Sequence, residues 1–203
     1  RQAASGSWIS PEWAKHKREL AETNPLVRLP YLINHDTGEI VAQSNAVYLY
    51  LGRLLSLGGK SREESLANEQ VLFQLHVMWT QLRDLVYPDP DSRTADVLAF
   101  RSYLADHLKV TVPDHYDKLE AWLKQRGTPF FVSSTPCTAD FHVWEFIDQQ
   151  EVMASRHCYD SPVEAYPLLQ AFYQRVRALP ALQGYFAGPD YRLPLNNKMA
   201  YFF

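Results

Sequence analysis

Between residues 29 and 55 the apolar positions change period. Tyr31, Leu32 and Ile33 make one short run after Pro30, and Ile40, Val41 and Ala42 make a second, with turn chemistry from Asp36 to Gly38 between them. That arrangement predicts an antiparallel hairpin. Beyond it Val47, Tyr50, Leu51 and Leu54 recur at spacings of 3, 4 and 7, the buried face of a helix with Ser44 as its N-cap. Upstream, Pro11 to Glu22 reads as a short helix capped by Ser10, with Pro11 at the first helical position and charges on its outer face.

After the hairpin region the pattern is helical throughout. Leu57 to Lys60 breaks it and reads as a link. Ser61 and Glu64 form a capping box that opens a long helix with the stripe Leu72, Leu75, Trp79, Leu82 and Val86, stopped by Pro88 and Pro90. A second helical region spans Thr94 to Gln125, with Leu98, Leu104 and Leu108 before Pro113 and Tyr116, Leu119, Trp122 and Leu123 after it; Pro113 predicts a kink or a new first turn. Gly127 is a C-cap, and the loop Thr128 to Pro136 carries an apolar anchor of Phe130, Phe131 and Val132. Ser161 to Glu164 is a further capping signature, followed by an amphipathic helix from Tyr166 to Leu179. The fold class is therefore α/β plus all-α: residues 1–56 form a small α/β domain, 57–63 a link, and 64–203 an all-helical domain.

Composition narrows the chemistry. With 46% hydrophobic and 21% charged residues in 203, the chain has ordinary globular make-up. A formal charge of -3 and no Lys/Arg block give no footprint for nucleic acid or an anionic membrane. No apolar run approaches the ~18 residues of a membrane helix, so no membrane insertion is expected. Neither Cys137 nor Cys158 lies in a metal-ligand spacing, and the seven histidines form no HExxH-like pair, so no metal is expected and a reducing compartment is favoured. Localisation stays otherwise open. Glu145 and Asp148 share a helix with Asp140 and read as a solvated face. The one latent ligand site is at Gln43 and Ser44, where a helix N-terminus favours a carboxylate or phosphate; the alternative is that Ser44 only caps its own helix.

The segments LPYLI (29–33) and AQSNAVYLYLGR (42–53) resemble the glutathione transferases, nearest the mu and sigma types of the cytosolic enzymes. The resemblance covers nearly the whole chain and implies a thioredoxin-like N-terminal domain, incomplete here, followed by the family's all-helical domain. It implies a cis bond before Pro30, Leu29 as the residue whose backbone pairs with the cysteinyl part of glutathione, Gln43 and Ser44 on the γ-glutamyl end, and Trp13 with Lys17 on the glycine carboxylate. Tyr87 falls where the mu family has a tyrosine facing the electrophile, though it also fits a plain amphipathic helix end. Cys137 and Asp140 resemble the buried capping box of the family's sixth helix, which gives Asp140 a folding role and no catalytic one; with a thiol, a poor acceptor, where the family has a hydroxyl, the cap should be weaker by about 1 kcal/mol. The tail Tyr191 to Phe203 is similar to the mu and sigma C-terminus and should fold back onto the domain or a ligand.

The sequence also departs from the family. The βαβ unit that the family places ahead of Arg1, with the tyrosine that lowers the pKa of the glutathione thiol, is not in the sequence. Where the mu family inserts an aromatic into a partner subunit this chain has Pro25, Leu26, Val27 and Arg28, and Val77 stands near a family acidic residue that reaches the neighbour's glutathione. The resemblance implies conjugation of glutathione, as co-substrate, to a hydrophobic electrophile, given an upstream catalytic strand. The alternative is a noncatalytic subunit of the same fold docked in a larger assembly. A homodimer or such an assembly is the expected partner.

Overall fold

The computed structural model describes residues 10–87 and 96–202. Pro88, Pro90 and Thr94, expected to end one helix and begin the next, lie outside them. The chain divides into two compact units, one running to Ser56 and one from Leu57.

In the first unit, α1 (Pro11–Ala21) precedes the strands β1 (Tyr31–Ile33) and β2 (Ile40–Ala42) and the helix α2 (Ser44–Leu54). Ser10 caps α1 by accepting from the Trp13 N–H. The hairpin register is Tyr31 to Ala42, Leu32 to Val41 and Ile33 to Ile40, and Gly38 supplies the positive φ its turn requires. Side chains then tie hairpin to helix. The Tyr50 hydroxyl donates to Glu39 at 2.9 Å and accepts from the Asn34 amide at 2.6 Å, while Thr37 donates to the same Glu39 oxygen at 2.8 Å. These hydroxyl donors hold the Glu39 carboxyl below its ordinary range. The expected buried face of α2 is shallower than the spacing predicts: Val47, Tyr50 and Leu51 are half-buried and Leu54 is exposed.

The second unit is helical: α3 (Arg62–Val86), α4 (Val97–Asp106), α5 (Val112–Arg126), α6 (Thr138–Arg156), α7 (Pro167–Arg177) and the short α8 (Gln183–Ala187). Ser61 caps α3 through the Glu64 N–H, but the Glu64 carboxylate reaches the Lys60 N–H at 2.6 Å in place of Ser61's own. The α3 core face is Val71, Leu72, Leu75, Met78, Leu82, Leu85 and Val86, and Trp79 is only half-buried. Likewise Phe100, not Leu98, enters the core from α4, because the Asp96 cap sets the helix phase and turns Leu98 outward. Between α4 and α5 the chain widens into a π-helical turn, His107 to Thr111, with the Val112 N–H reaching back to His107 O. Pro113 accounts for this: it brings no N–H to the ladder and its ring crowds the carbonyl one turn earlier. Among the described residues no helix is long and apolar enough to cross a membrane.

The core closes around the N-terminus of α6. Asp140 accepts from the Cys137 N–H and the Phe131 N–H, both at 2.7 Å, and Asn68 from α3 accepts from the Ala139 N–H at 3.0 Å. The loop at 128–136 is held carbonyl by carbonyl: Pro129 O by Arg175, Phe130 O by Thr128, Phe131 O by Trp122 and Val132 O by Arg126. The capping signature expected at Ser161 is not used for α7. Ser161 donates to Glu151, and Glu120 of α5 accepts from Leu168 and Leu169 N–H instead. The C-terminal segment packs on this unit, with Ala200 and Phe202 buried and the Tyr201 N–H bonded to Val86 O at 2.7 Å.

Burial pushes the Asp140 carboxyl up to about 7, against the pull of its two N–H donors. A folded-state pKa above the unfolded one gives stability that is full at acid pH and is lost as pH rises through 7. The unfolding free energy of wild type minus that of Asp140→Asn is therefore expected to fall between about pH 4 and pH 7 and level off above, read by denaturant titration across pH. Asp140→Ala, which orphans two buried N–H groups, should cost roughly 2–4 kcal/mol.

Candidate functional site

Pairing of Tyr31 with Ala42 puts the residues before β1 and those after β2 at one end of the hairpin. Leu29 and Pro30, joined by a cis peptide, and Gln43 with Ser44 therefore share that end. Four of the residues singled out from the sequence are thus brought together by the register alone.

The turn into α2 is the unusual piece of backbone. Gln43 sits at φ 72, ψ 121, a region that a residue with a Cβ rarely adopts, and its side chain makes no cap on the helix. Its amide donates to Leu26 O at 3.3 Å instead. Ser44 is not the N-cap but the first helical residue, because the positive φ at Gln43 starts the helix abruptly. Among the described residues nothing hydrogen-bonds the Ser44 hydroxyl. Among the described residues the first N–H groups of α2 consequently have no side-chain acceptor, at the positive end of the helix dipole.

Leu29 offers a complementary feature. The residue is 61% exposed, and no main-chain hydrogen bond joins it to another described residue. An extended ligand could pair with that backbone as a strand would. Trp13, from α1, stacks on Tyr31 with ring centroids 5.9 Å apart and planes 19° apart. Lys17 follows one turn later on α1 and is exposed. The structure therefore gathers an anion-favouring helix end, an open main-chain pair, an indole and an ammonium in one small unit.

Tyr87 belongs to the other unit, where it follows the last turn of α3. Its hydroxyl is 3.4 Å from Asn196 Oδ1 and accepts from the Asn197 N–H at 3.4 Å. Asp148 corrects the sequence reading of a solvated face. It is buried, accepting from the Tyr173 hydroxyl at 2.5 Å and from Tyr191 at 3.1 Å, with the Arg177 guanidinium 3.4 Å away. Burial and the carboxylate together push the Tyr173 phenol well up. Arg177 in turn lies against the faces of Trp144, Tyr173, Phe186 and Tyr191 at 5.0–6.0 Å. This cluster clamps α6, α7 and the segment around Tyr191 together. Among the described residues no group of histidine, cysteine, aspartate and glutamate could hold a metal ion.

Comparison with known proteins bears on the family of the chain. Residues 81–189 match the family model described as glutathione S-transferase, C-terminal domain. The chain is 29% identical over 191 residues to glutathione S-transferase Mu 1 of Mus musculus, spanning 94% of this chain and 78% of that protein. It is 29% identical over 159 residues to glutathione S-transferase P of Homo sapiens, covering 77% and 68%. Among solved structures it is similar to a Pi-class glutathione S-transferase of Onchocerca volvulus, with TM-score 0.73, 19% identity and coverage of 95% and 84%. The glutathione S-transferase Blo t 8 aligns with TM-score 0.77, 20% identity and coverage of 94% and 81%.

The strain at Gln43 is open to test by itself. Removing the Cβ relieves about 1–3 kcal/mol of backbone strain, against roughly 0.5–1 kcal/mol of added unfolded-state freedom for glycine. Gln43→Gly is expected to stabilise the protein by about 1 kcal/mol in denaturant unfolding. A loss of stability would mean that the bond to Leu26 O outweighs the strain.

Proposed function

The chain belongs to the glutathione transferase family, and from that premise we propose that it binds glutathione at the open end of its hairpin and conjugates the thiol to a hydrophobic electrophile. The observation that carries this reading is the α2 N-terminus, left without a side-chain cap and with the Ser44 hydroxyl unengaged. A γ-glutamyl carboxylate satisfies the free N–H groups and the hydroxyl together. The cysteinyl residue lies extended along the Leu29 main chain, and the glycyl carboxylate meets Trp13 and Lys17. In the transfer the thiol loses its proton and the sulfur forms a bond to the electrophilic carbon as the leaving group departs. Tyr87 is assigned to the wall of the electrophile site, with a hydroxyl already engaged by the tail.

Ser44→Ala should weaken glutathione binding by roughly 1–3 kcal/mol, the range for a hydrogen bond to a charged group. Calorimetry on the folded variant of the full-length protein reads this, and an unchanged affinity would leave Ser44 a purely local part of the helix. Conjugation of a model aromatic electrophile separates the enzyme from a noncatalytic glutathione-binding subunit, which would bind the tripeptide and leave the electrophile untouched.

The partner reading is a homodimer. Leu66, Phe73 and Val77 are 54%, 60% and 49% exposed and fall with Gln70 along one side of α3. Such a strip is costly to leave in water and is suited to a second copy of the same helix. Phe73→Glu should shift the sedimentation coefficient from dimer to monomer. If wild type already sediments as a monomer at micromolar concentration, this assignment is wrong.

A further inference from the structure

A histidine that the site description leaves out stands beside it. His16, on α1, places Nε2 2.8 Å from the Tyr31 hydroxyl and Nδ1 3.7 Å from the Glu19 carboxylate. The Tyr31 ring is the one on which Trp13 stacks, and the Trp13 and His16 rings meet edge to face at 6.3 Å. Tyr31 is thus fixed at both ends, by the β1 register with Ala42 and by the imidazole at its hydroxyl. A stacked ring whose hydroxyl is also held cannot swing, and the indole lying on it is held with it. Among the described residues nothing accepts from the Trp13 indole N–H and no carboxylate pairs with Lys17, so both donors are open to a ligand.

We propose that His16 is a positioning residue of the tripeptide site: through Tyr31 it fixes the Trp13 indole for the carboxylate at the glycyl end, and so sets the preference for glutathione over γ-glutamylcysteine, the dipeptide without glycine. The inference rests on the glutathione-binding reading above and adds the device that makes the glycyl end selective. Glu19 belongs to the same chain of contacts, since its carboxylate faces the imidazole on the side away from Tyr31. His16 touches no reacting atom, and its contribution comes from rigidity in a part of the site remote from the thiol.

The test is calorimetric titration of the full-length protein with glutathione and with γ-glutamylcysteine. His16→Ala and Tyr31→Phe remove the same hydrogen bond from opposite sides. Each is expected to weaken glutathione binding roughly three- to tenfold, as for one modest hydrogen bond, and to leave γ-glutamylcysteine within about twofold. The double variant should be no weaker than either single one, because the two share one interaction. His16→Gln, which can still reach the hydroxyl, should restore most of the preference. A wild type that prefers glutathione while His16→Ala keeps the same ratio overturns the inference and spares the glutathione-binding reading. Equal weakening of both ligands also overturns it, since that marks general loosening of the unit. A wild type that binds neither ligand ends both.

Discussion

A carboxylate with no access to water must find its hydrogen-bond donors inside the protein, and Asp140 finds two from separate parts of the chain. The Cys137 N–H belongs to the start of α6, and the Phe131 N–H belongs to the loop that brings three apolar side chains into the core. One side chain therefore fixes where α6 begins and where Phe130, Phe131 and Val132 are buried. Asn68 adds α3 to the same junction through the Ala139 N–H. Once these positions are set, the loop carbonyls fall within reach of Trp122, Arg126 and Arg175, and α5 and α7 are drawn in. The cysteine at the N-cap is tolerated because Asn68 accepts from the Ala139 N–H, one of the amides that an N-cap side chain would otherwise take.

The same device recurs across the helical unit: a side chain on one helix satisfies the exposed amides that begin another. Glu120 of α5 does so for α7, and Glu151 of α6 accepts from Val163 and Ser161 in the turn before it. Such contacts supply both a hydrogen bond and a location, because each acceptor fits only one arrangement of the two helices. They also explain what the chain pattern conveyed and what it did not. The hairpin was legible to the residue because its turn chemistry and its two runs lie within a dozen positions. Gly127 and the 130–132 anchor were legible for the same local reason. Asp148 was not, since its partners Tyr173, Arg177 and Tyr191 follow from tertiary packing of α7 and the segment after it. Nor was the reversal at Ser161, where a distant glutamate outcompetes a local cap.

In the smaller unit the information runs differently. Short-range order marked Gln43 and Ser44 as a helix start, the family resemblance added Leu29, Trp13 and Lys17, and the hairpin register brings Leu29 to the same end as Gln43 and Ser44. What periodicity could not convey is the shape of the Gln43 backbone. Spacing makes Ser44 a cap, whereas the positive φ one residue earlier makes Ser44 the first residue inside the helix, with its hydroxyl left over. The unit keeps an energetically unfavourable turn at the point where a ligand carboxylate would be received. His16 was equally invisible, since its pairing with Tyr31 crosses from α1 to β1.

The bond from the Tyr201 N–H to Val86 O joins the last turn of α3 to a residue 115 positions further along the sequence. During synthesis α3 emerges from the ribosome long before residue 201 exists. Its final turn must wait for the partner of that carbonyl, and the Phe100 ring of α4 must wait for the Tyr201 ring it meets at 5.7 Å. Vectorial folding of this unit therefore cannot close the seam until residue 201 has cleared the ribosome, so a ribosome stalled before that codon would hold a helical body whose α3 end stays unmatched.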